Sequence, residues 1–381
     1  LEKKCDYRAR RKALNEYNKN HENPRGMSLT PIKFGISFTT RFLNQGHSYL
    51  HVLRDGSVQV TTGAVEMGQG VQARIKTLLA NVFGIDERMV QILPTATEKC
   101  ANTSPTAASS GTDLNGTAAV MAANKIKASL CALFNRLMEI PENLWPKNTS
   151  GTACGPEIEV DEKLDDKIAF LDSQVFYKKA PDKKISFASL VDQAYLSRIA
   201  LSAYGFYKVP HLGFNKITGQ GNAFLYFTQG VACSEVEIDR FTGEAKILRT
   251  DILMDCGEPI NMALDKGQIS GGFIQGAGWI LSEKLFYDDA GRLLTHAPST
   301  YKIPSIHDIP RIFNIDLVKN QENTVNLVGT KATGEPPLML CFSVWNALKN
   351  ALAYHDERRM KKAPLKLLPI PATAEVLLSH L

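Results

Sequence analysis

The sequence predicts an α+β fold, and three observations carry that prediction. Strand-like and helical periodicities occur in mixed order along the chain, without regular strand–helix alternation. Two turn dipeptides, Asp55-Gly56 and Thr242-Gly243, each separate a pair of strand-like runs. A length of 381 residues, 44% hydrophobic and 22% charged, is that of a soluble globular protein with two or three packed units.

The elements follow in order. Residues 1–18 read as a helix already in progress, and position 1 is leucine, so the chain is expected to begin within a larger polypeptide. The basic cluster Arg8, Arg10, Arg11 and Lys12 is expected on an exposed helix face, where another subunit could dock. Residues 31–62 read as strands, with 48–52 and 57–61 flanking Asp55-Gly56. The segment Gly63-Ala64-Val65-Glu66-Met67-Gly68-Gln69-Gly70 runs into an amphipathic helix over 71–83 that Gly84 closes, and a short strand is expected over 90–93. Residues 102–116, dense in Ser, Thr, Ala and Gly, open a long helix with the apolar stripe Leu114, Ala118, Met121, Ile126, Leu130, Leu133 and Leu137.

Residues 141–184 lose periodicity and read as an insertion or linker, partly mobile. A short helix is expected over 187–195, then an antiparallel hairpin of 223–239 and 244–253, then a glycine-rich, closely packed helix over 265–280. Strands at 284–287 and 324–328 precede a last helix from about 336 to 354. No internal repeat is visible. The expected division is 1–140, a linker at 141–184, and 185–381.

Composition excludes several classes. A net charge of +5 is mild, and no nucleic-acid-binding motif occurs. Seven scattered cysteines with no Cys-x-x-Cys pair fit a reducing, cytoplasmic setting better than a disulfide framework. No apolar run reaches the roughly 18 residues of a membrane span, and no signal peptide is visible.

The most informative stretch is Lys331-Ala332-Thr333-Gly334-Glu335-Pro336-Pro337-Leu338. Two prolines suit a first helical turn, and Pro336 biases Glu335 towards extended backbone. A glutamate held stiffly ahead of a buried helix suits a catalytic base with a raised pKa. A second tripeptide of the same kind, Gly257-Glu258-Pro259, ends a strand beside Asn261 and suits a structural turn. Gly68-Gln69-Gly70 and Ala107-Ala108-Ser109-Ser110-Gly111 each precede a helix and offer backbone N–H groups to an anion, as a large phosphate-bearing cofactor requires. Neither is a Walker loop, which disfavours a nucleotide hydrolase. Phe38-Thr39 pairs a ring that can stack with a hydroxyl that can hydrogen-bond, or else is core. His47 and His51 fall in a strand, so at roughly 3.3 Å per residue they lie about 13 Å apart, too far to share one metal. Direct side-chain ligation of a metal is therefore not expected.

These residues resemble a known family. The chain looks like the C-terminal part of the molybdenum-binding region of xanthine dehydrogenase, in the xanthine oxidase family of molybdenum hydroxylases. The matching segments are Pro31 to Thr39, Val65 to Gly70, Asn102 to Ser109, Asp113 to Gly116, Gly230 to Asp239, Pro298 to Pro304 and the Glu335 loop, in collinear order. Residues 141–184 stand apart, and Gly111 stands where animal members carry serine. The resemblance implies a two-lobed, mixed-sheet cofactor-binding domain, with Glu335 as catalytic base and Glu258 without that role. It implies substrate binding by Phe38 and Thr39. It implies contacts of Gln69, Ala107, Ala108, Ser109 and Gln268 with molybdopterin or the metal's surroundings. The metal would arrive with its own organic ligands.

The implied activity is hydroxylation of a purine, hypoxanthine or xanthine to urate. Another N-heterocycle, an aldehyde, or a non-catalytic scaffold role are the alternatives. The resemblance leaves open whether the pterin carries a cytosine dinucleotide. It implies FAD and 2Fe-2S clusters on other domains or chains, the remainder of the molybdenum domain as partner, and a dimer of such assemblies, with no nucleic acid and no membrane.

Overall fold

Most elements form where periodicity places them. The computed structural model describes residues 1–145, 165–320, 322–358 and 367–381. In chain order these form α1 (Tyr7–Asn20), β1 (Arg25–Ile36), β2 (Gln45–Val52), β3 (Val58–Thr62), α2 (Val71–Phe83), β4 (Val90–Ile92) and α3 (Thr117–Glu139). There follow β5 (Ile168–Leu171), β6 (Gln174–Tyr177), β7 (Ala180–Ser186), α4 (Phe187–Leu196), β8 (Ser202–Lys208), β9 (Gly213–Asn215) and β10 (Gln220–Asn222). The last are β11 (Tyr226–Ile238), β12 (Ala245–Asp255), α5 (Met262–Leu281), β13 (Ile312–Leu317), α6 (Phe342–Arg358) and α7 (Ala374–His380). Mixed sheets with helices in irregular order confirm the α+β class.

One compact unit comprises residues 1–35, 226–323 and 329–381. Its sheet runs β1–β11–β12–β13, with β11 and β12 antiparallel across Gly243 and β13 added in parallel. Alternation in β11 and β12 sends Val236, Ile238, Ile252 and Met254 into a core shared with Phe273, Leu340, Val344 and Leu348. Each such side chain, fully buried, contributes about 1.5–3 kcal/mol.

The second unit comprises residues 36–225 and 324–328. Its sheet runs β4–β3–β2–β8. Helices α2 and α3 bury Ile75, Leu79, Ile126, Leu130 and Phe134 in one core with Leu50 and Val60. The predicted helical stripe holds except at Met121, which is exposed because Ala118, Ala119, Ala122 and Ala123 take the buried face.

Several expectations are corrected. The compact units do not follow the sequential division at 140 and 185: the first 35 residues belong with the C-terminal part, since β1 pairs with β11. Across the end of the expected linker and just beyond it, residues 168–186 form the antiparallel sheet β5–β6–β7, whose Ile168, Val175 and Ile185 join the second unit's core. The rest of that expected linker between 146 and 164 lies outside the described residues. Residues 284–287 are not a strand; only Tyr287 bridges, to Leu293. Residues 324–328 are not one either: Val328, at φ 51°, lies in a short turn over Leu327–Gly329. The strand in this region is β13, where Phe313, Ile315 and Leu317 alternate onto the core.

The basic cluster is also not uniformly exposed. Arg10 binds Glu235 at 2.8 Å and Asp251 at 2.9 Å. Arg11 donates to Met27 O and Asn350 Oδ1. Arg8 and Lys12 face solvent, so two of the four charges fasten α1 to its own unit.

Candidate functional site

In the first unit, Glu335 heads a 3-10 turn over Pro336–Cys341. Its backbone, at φ −87° and ψ −38°, is helical rather than extended. The Leu338 N–H donates to Glu335 O at 3.1 Å, and that bond outweighs the proline bias. The turn buries Pro336 and Pro337 and leaves Glu335 exposed in this chain. The turn lies on α5 with almost no gap: a Cβ built on Gly276 would come within 2.5 Å of Leu338 O. This is why positions 272 and 276 of α5, which face the turn, are glycine. Gln268, half-buried, stands on the same helix two turns before Gly276.

The segment feeding Glu335 is held from behind. The Lys331 N–H donates to Cys256 O at 2.7 Å, the Glu258 N–H to Gly329 O at 3.0 Å, and Thr330 bridges Gly257. The first Gly-Glu-Pro tripeptide is thus the backing of the second. Position 257 must be glycine: φ is +60°, and a Cβ there would come within 2.1 Å of Gly329 O. Asp255, at the end of β12, takes the Lys331 ammonium at 2.6 Å in a nearly buried pair. Ala332 has both peptide groups engaged by β11: its N–H donates to Tyr226 Oη at 3.0 Å, and its C=O accepts from Thr228 Oγ1 at 3.1 Å. Thr333 Oγ1 donates to Asp265 Oδ1 at 3.3 Å, tying the loop to the first turn of α5. The sequence reading missed Tyr226, Thr228, Asp255 and Asp265, because nothing local marks a strand residue as a loop anchor.

In the second unit, Phe38 is half-buried and Thr39 exposed, just past the end of β1. The buried Asn44 holds Phe38: its N–H donates to Asn44 Oδ1 at 2.9 Å, and Asn44 Nδ2 donates to Phe38 O at 2.9 Å. The loop before α2 behaves differently from expectation. The Gly68 and Gly70 N–H groups donate to Glu66 Oε1 at 2.9 Å each, and the Gln72 N–H to Glu66 Oε2 at 3.0 Å. The chain's own carboxylate fills the anion position at this helix start. Burial pushes the Glu66 carboxyl up, but the three N–H donors outweigh it and hold it below the usual carboxylate range. Gln69 closes the same loop, donating to Val65 O at 2.8 Å and accepting from Met67 N–H at 2.6 Å.

The other small-residue loop is partly closed on itself: the Ala107 N–H donates to Pro105 O at 2.8 Å and the Ser110 N–H to Ala107 O at 3.3 Å. Ala108 and Ser109 are both left-handed, at φ 54° and 53°, and Ala107 is exposed. A π-helical turn over Thr112–Gly116 then enters α3. The two loops meet where the Val65 N–H donates to Thr106 Oγ1 at 3.0 Å. His47 is buried, its ring nitrogens 3.1 Å from Asn102 O and 3.3 Å from Lys99 O, so it steadies the chain entering the second loop. His51 instead lies edge-on to Tyr49. Among the described residues, no group of three His, Cys, Asp or Glu side chains is placed to hold a metal, and no helix is long and apolar enough to cross a membrane.

Known proteins give the following likenesses. The family described as "Molybdopterin cofactor-binding domain" matches residues 1–150 and 157–310. Xanthine dehydrogenase/oxidase of Mus musculus is 40% identical over 374 residues, covering 97% of this chain and 24% of that protein. The chain spans about a quarter of the length of the curated relatives it matches. Among solved structures, CO dehydrogenase from Oligotropha carboxidovorans superposes with a TM-score of 0.77 at 20% identity, covering 98% of this chain and 43% of that one. Quinoline 2-oxidoreductase from Pseudomonas putida 86 does so with 0.76 at 23% identity, covering 100% and 44%. These two share the fold.

Proposed function

Since the chain belongs to the molybdopterin cofactor-binding domain family, we propose that it supplies the catalytic base and part of the cofactor and substrate contacts of a molybdenum-dependent hydroxylase acting on a purine. The observation that carries this reading is Glu335: exposed at the head of a double-proline turn, with the chain before it anchored to β11, β12 and α5.

The chain's own groups suit a molybdopterin. Ala107, Ala108 and Ser109 bring small side chains and a left-handed backbone that let a large ligand approach closely. Gln268 adds a half-buried carboxamide. When bound, the cofactor supplies the two-electron oxidant for hydroxylating an electron-poor carbon with oxygen from water. Glu335 takes the proton from the attacking oxygen, and its fixed backbone keeps the carboxylate aimed. Phe38 stacks on the flat substrate ring and Thr39 hydrogen-bonds its edge. Gln69 reaches the cofactor by giving up its present bond to Val65 O.

A purine is favoured because Phe38-Thr39 suits a planar heterocycle and the relatives that match along most of this chain are named xanthine dehydrogenases. The remainder of the molybdenum domain, the 2Fe-2S clusters and FAD act as partners on other domains or chains, in a dimeric cytoplasmic assembly. The test is Glu335→Gln in the assembled complex. Molybdenum and pterin content should stay at the wild-type level while xanthine turnover falls by about 10²–10⁴-fold. Near-normal turnover in a fully loaded variant rules out the base role. Turnover of an aldehyde but not of xanthine in the wild-type complex rules out the purine assignment.

A further inference from the structure

We propose that Tyr226 and Thr228 are positioning residues for Glu335, acting through the two peptide groups that meet at Ala332. The inference rests on Glu335 being the base and goes beyond it by naming what aims that base. Both side chains project from β11, two residues apart and so on one face of the strand. Tyr226 is 6% exposed and Thr228 fully buried. Each takes one polar group of Ala332: the phenol oxygen accepts from its N–H at 3.0 Å, and the threonine hydroxyl donates to its C=O at 3.1 Å.

The N–H lies in the Lys331–Ala332 peptide and the C=O in the Ala332–Thr333 peptide, so the two bonds hold the planes on either side of the Ala332 Cα, and neither plane can turn about Ala332 without breaking one. Only Thr333 and Gly334 separate it from Glu335, and Thr333 is itself tied to Asp265. Pro336, with its fixed φ, closes the other side. The freedom left to the Glu335 backbone is therefore set at Ala332 and Thr333. A main-chain group buried without its partner is costly, so the two hydroxyls serve these two peptides rather than each other.

Tyr226→Phe and Thr228→Val each remove the bond to Ala332 and keep the bulk. In the assembled complex, molybdenum content and KM should stay near the wild-type values, while kcat for whichever of xanthine and benzaldehyde is turned over falls by about 10–100-fold. Hydrogen exchange at the Ala332 amide should rise about tenfold in Tyr226→Phe. Introduced into Glu335→Gln, neither change should lower the residual turnover further, since nothing remains to be aimed. An unchanged kcat alongside faster exchange overturns the proposal. So does an equal loss in both backgrounds, which would assign the pair a general structural role. If Glu335→Gln turns over normally, the base reading fails first and takes this proposal with it; if that variant is inactive but Tyr226→Phe and Thr228→Val are normal, only the positioning role fails.

Discussion

Gly276→Ala separates stability from chemistry at this site. The added carbon would lie 2.5 Å from Leu338 O, 2.7 Å from Cys341 Cβ and 2.8 Å from Cys341 Sγ. Ordinary contact begins at 3.4 Å, so the turn must retreat by 3.4 − 2.5, about 0.9 Å. Overpacking of this kind costs about 1–3 kcal/mol. Replacing a helical glycine by alanine returns about 1 kcal/mol. The net loss is about 0–2 kcal/mol, which lowers the melting temperature by less than about 8 °C. Turnover is far more sensitive, because a displacement of about 1 Å in a reacting group costs about 10²-fold. The complex should therefore melt nearly as the wild type, carry its cofactor, and lose about 10²-fold in kcat. Gly271→Ala, on the same helix with nothing within 4 Å of the added carbon, is the control and should leave kcat unchanged. Wild-type kcat in Gly276→Ala would refute the claim that the Pro336–Cys341 turn sets the position of Glu335.

Arg10→Met should destabilise the unit by about 2–4 kcal/mol in urea unfolding, because it strips Glu235 of its cation while Asp251 keeps Arg249 at 2.7 Å; Arg8→Met, on the exposed side of the same helix, should unfold with the wild type. Glu66→Gln should speed hydrogen exchange at the Gly68, Gly70 and Gln72 amides. The folded carboxyl is held below its ordinary value, so its contribution is complete above the unfolded pKa and is lost as pH falls through the lowered folded one. The variant and the wild type should converge at acid pH, and equal protection at neutral pH would show that Glu66 does not cap the helix.

Periodicity and turn chemistry reveal the local elements well. Asp55-Gly56, Gly84 and Thr242-Gly243 mark real turns, and the helix at Val71–Phe83 has the predicted ends. What escapes such reading is pairing at a distance. β13 shows clear alternation in Ile312–Leu317, yet its short polar neighbours hide it until it is seen beside β12. The sheet at 168–186, a local meander, hides for another reason: Lys178, Lys179, Asp182, Lys183 and Lys184 dilute an apolar signal carried by a few residues. At the candidate site, Gly68-Gln69-Gly70 has the composition of an anion loop. Only the fold shows that Glu66, inside the same motif, already occupies its N–H groups.

The two Gly-Glu-Pro tripeptides show most plainly how sequence likeness divides into different jobs. Gly257 is fixed by backbone: its left-handed φ and contact with Gly329 O leave no space for a side chain, and Glu258 contributes its N–H to Gly329 O. Glu335 is fixed from the opposite direction, with its side chain outward and its main chain secured by neighbours on both sides. A base must meet two opposed demands, rigidity and access. Burial would give the first and deny the second. Here rigidity comes from behind, through buried Thr228, Thr333 and Asp265 and the prolines that follow, so the carboxylate itself need not be enclosed.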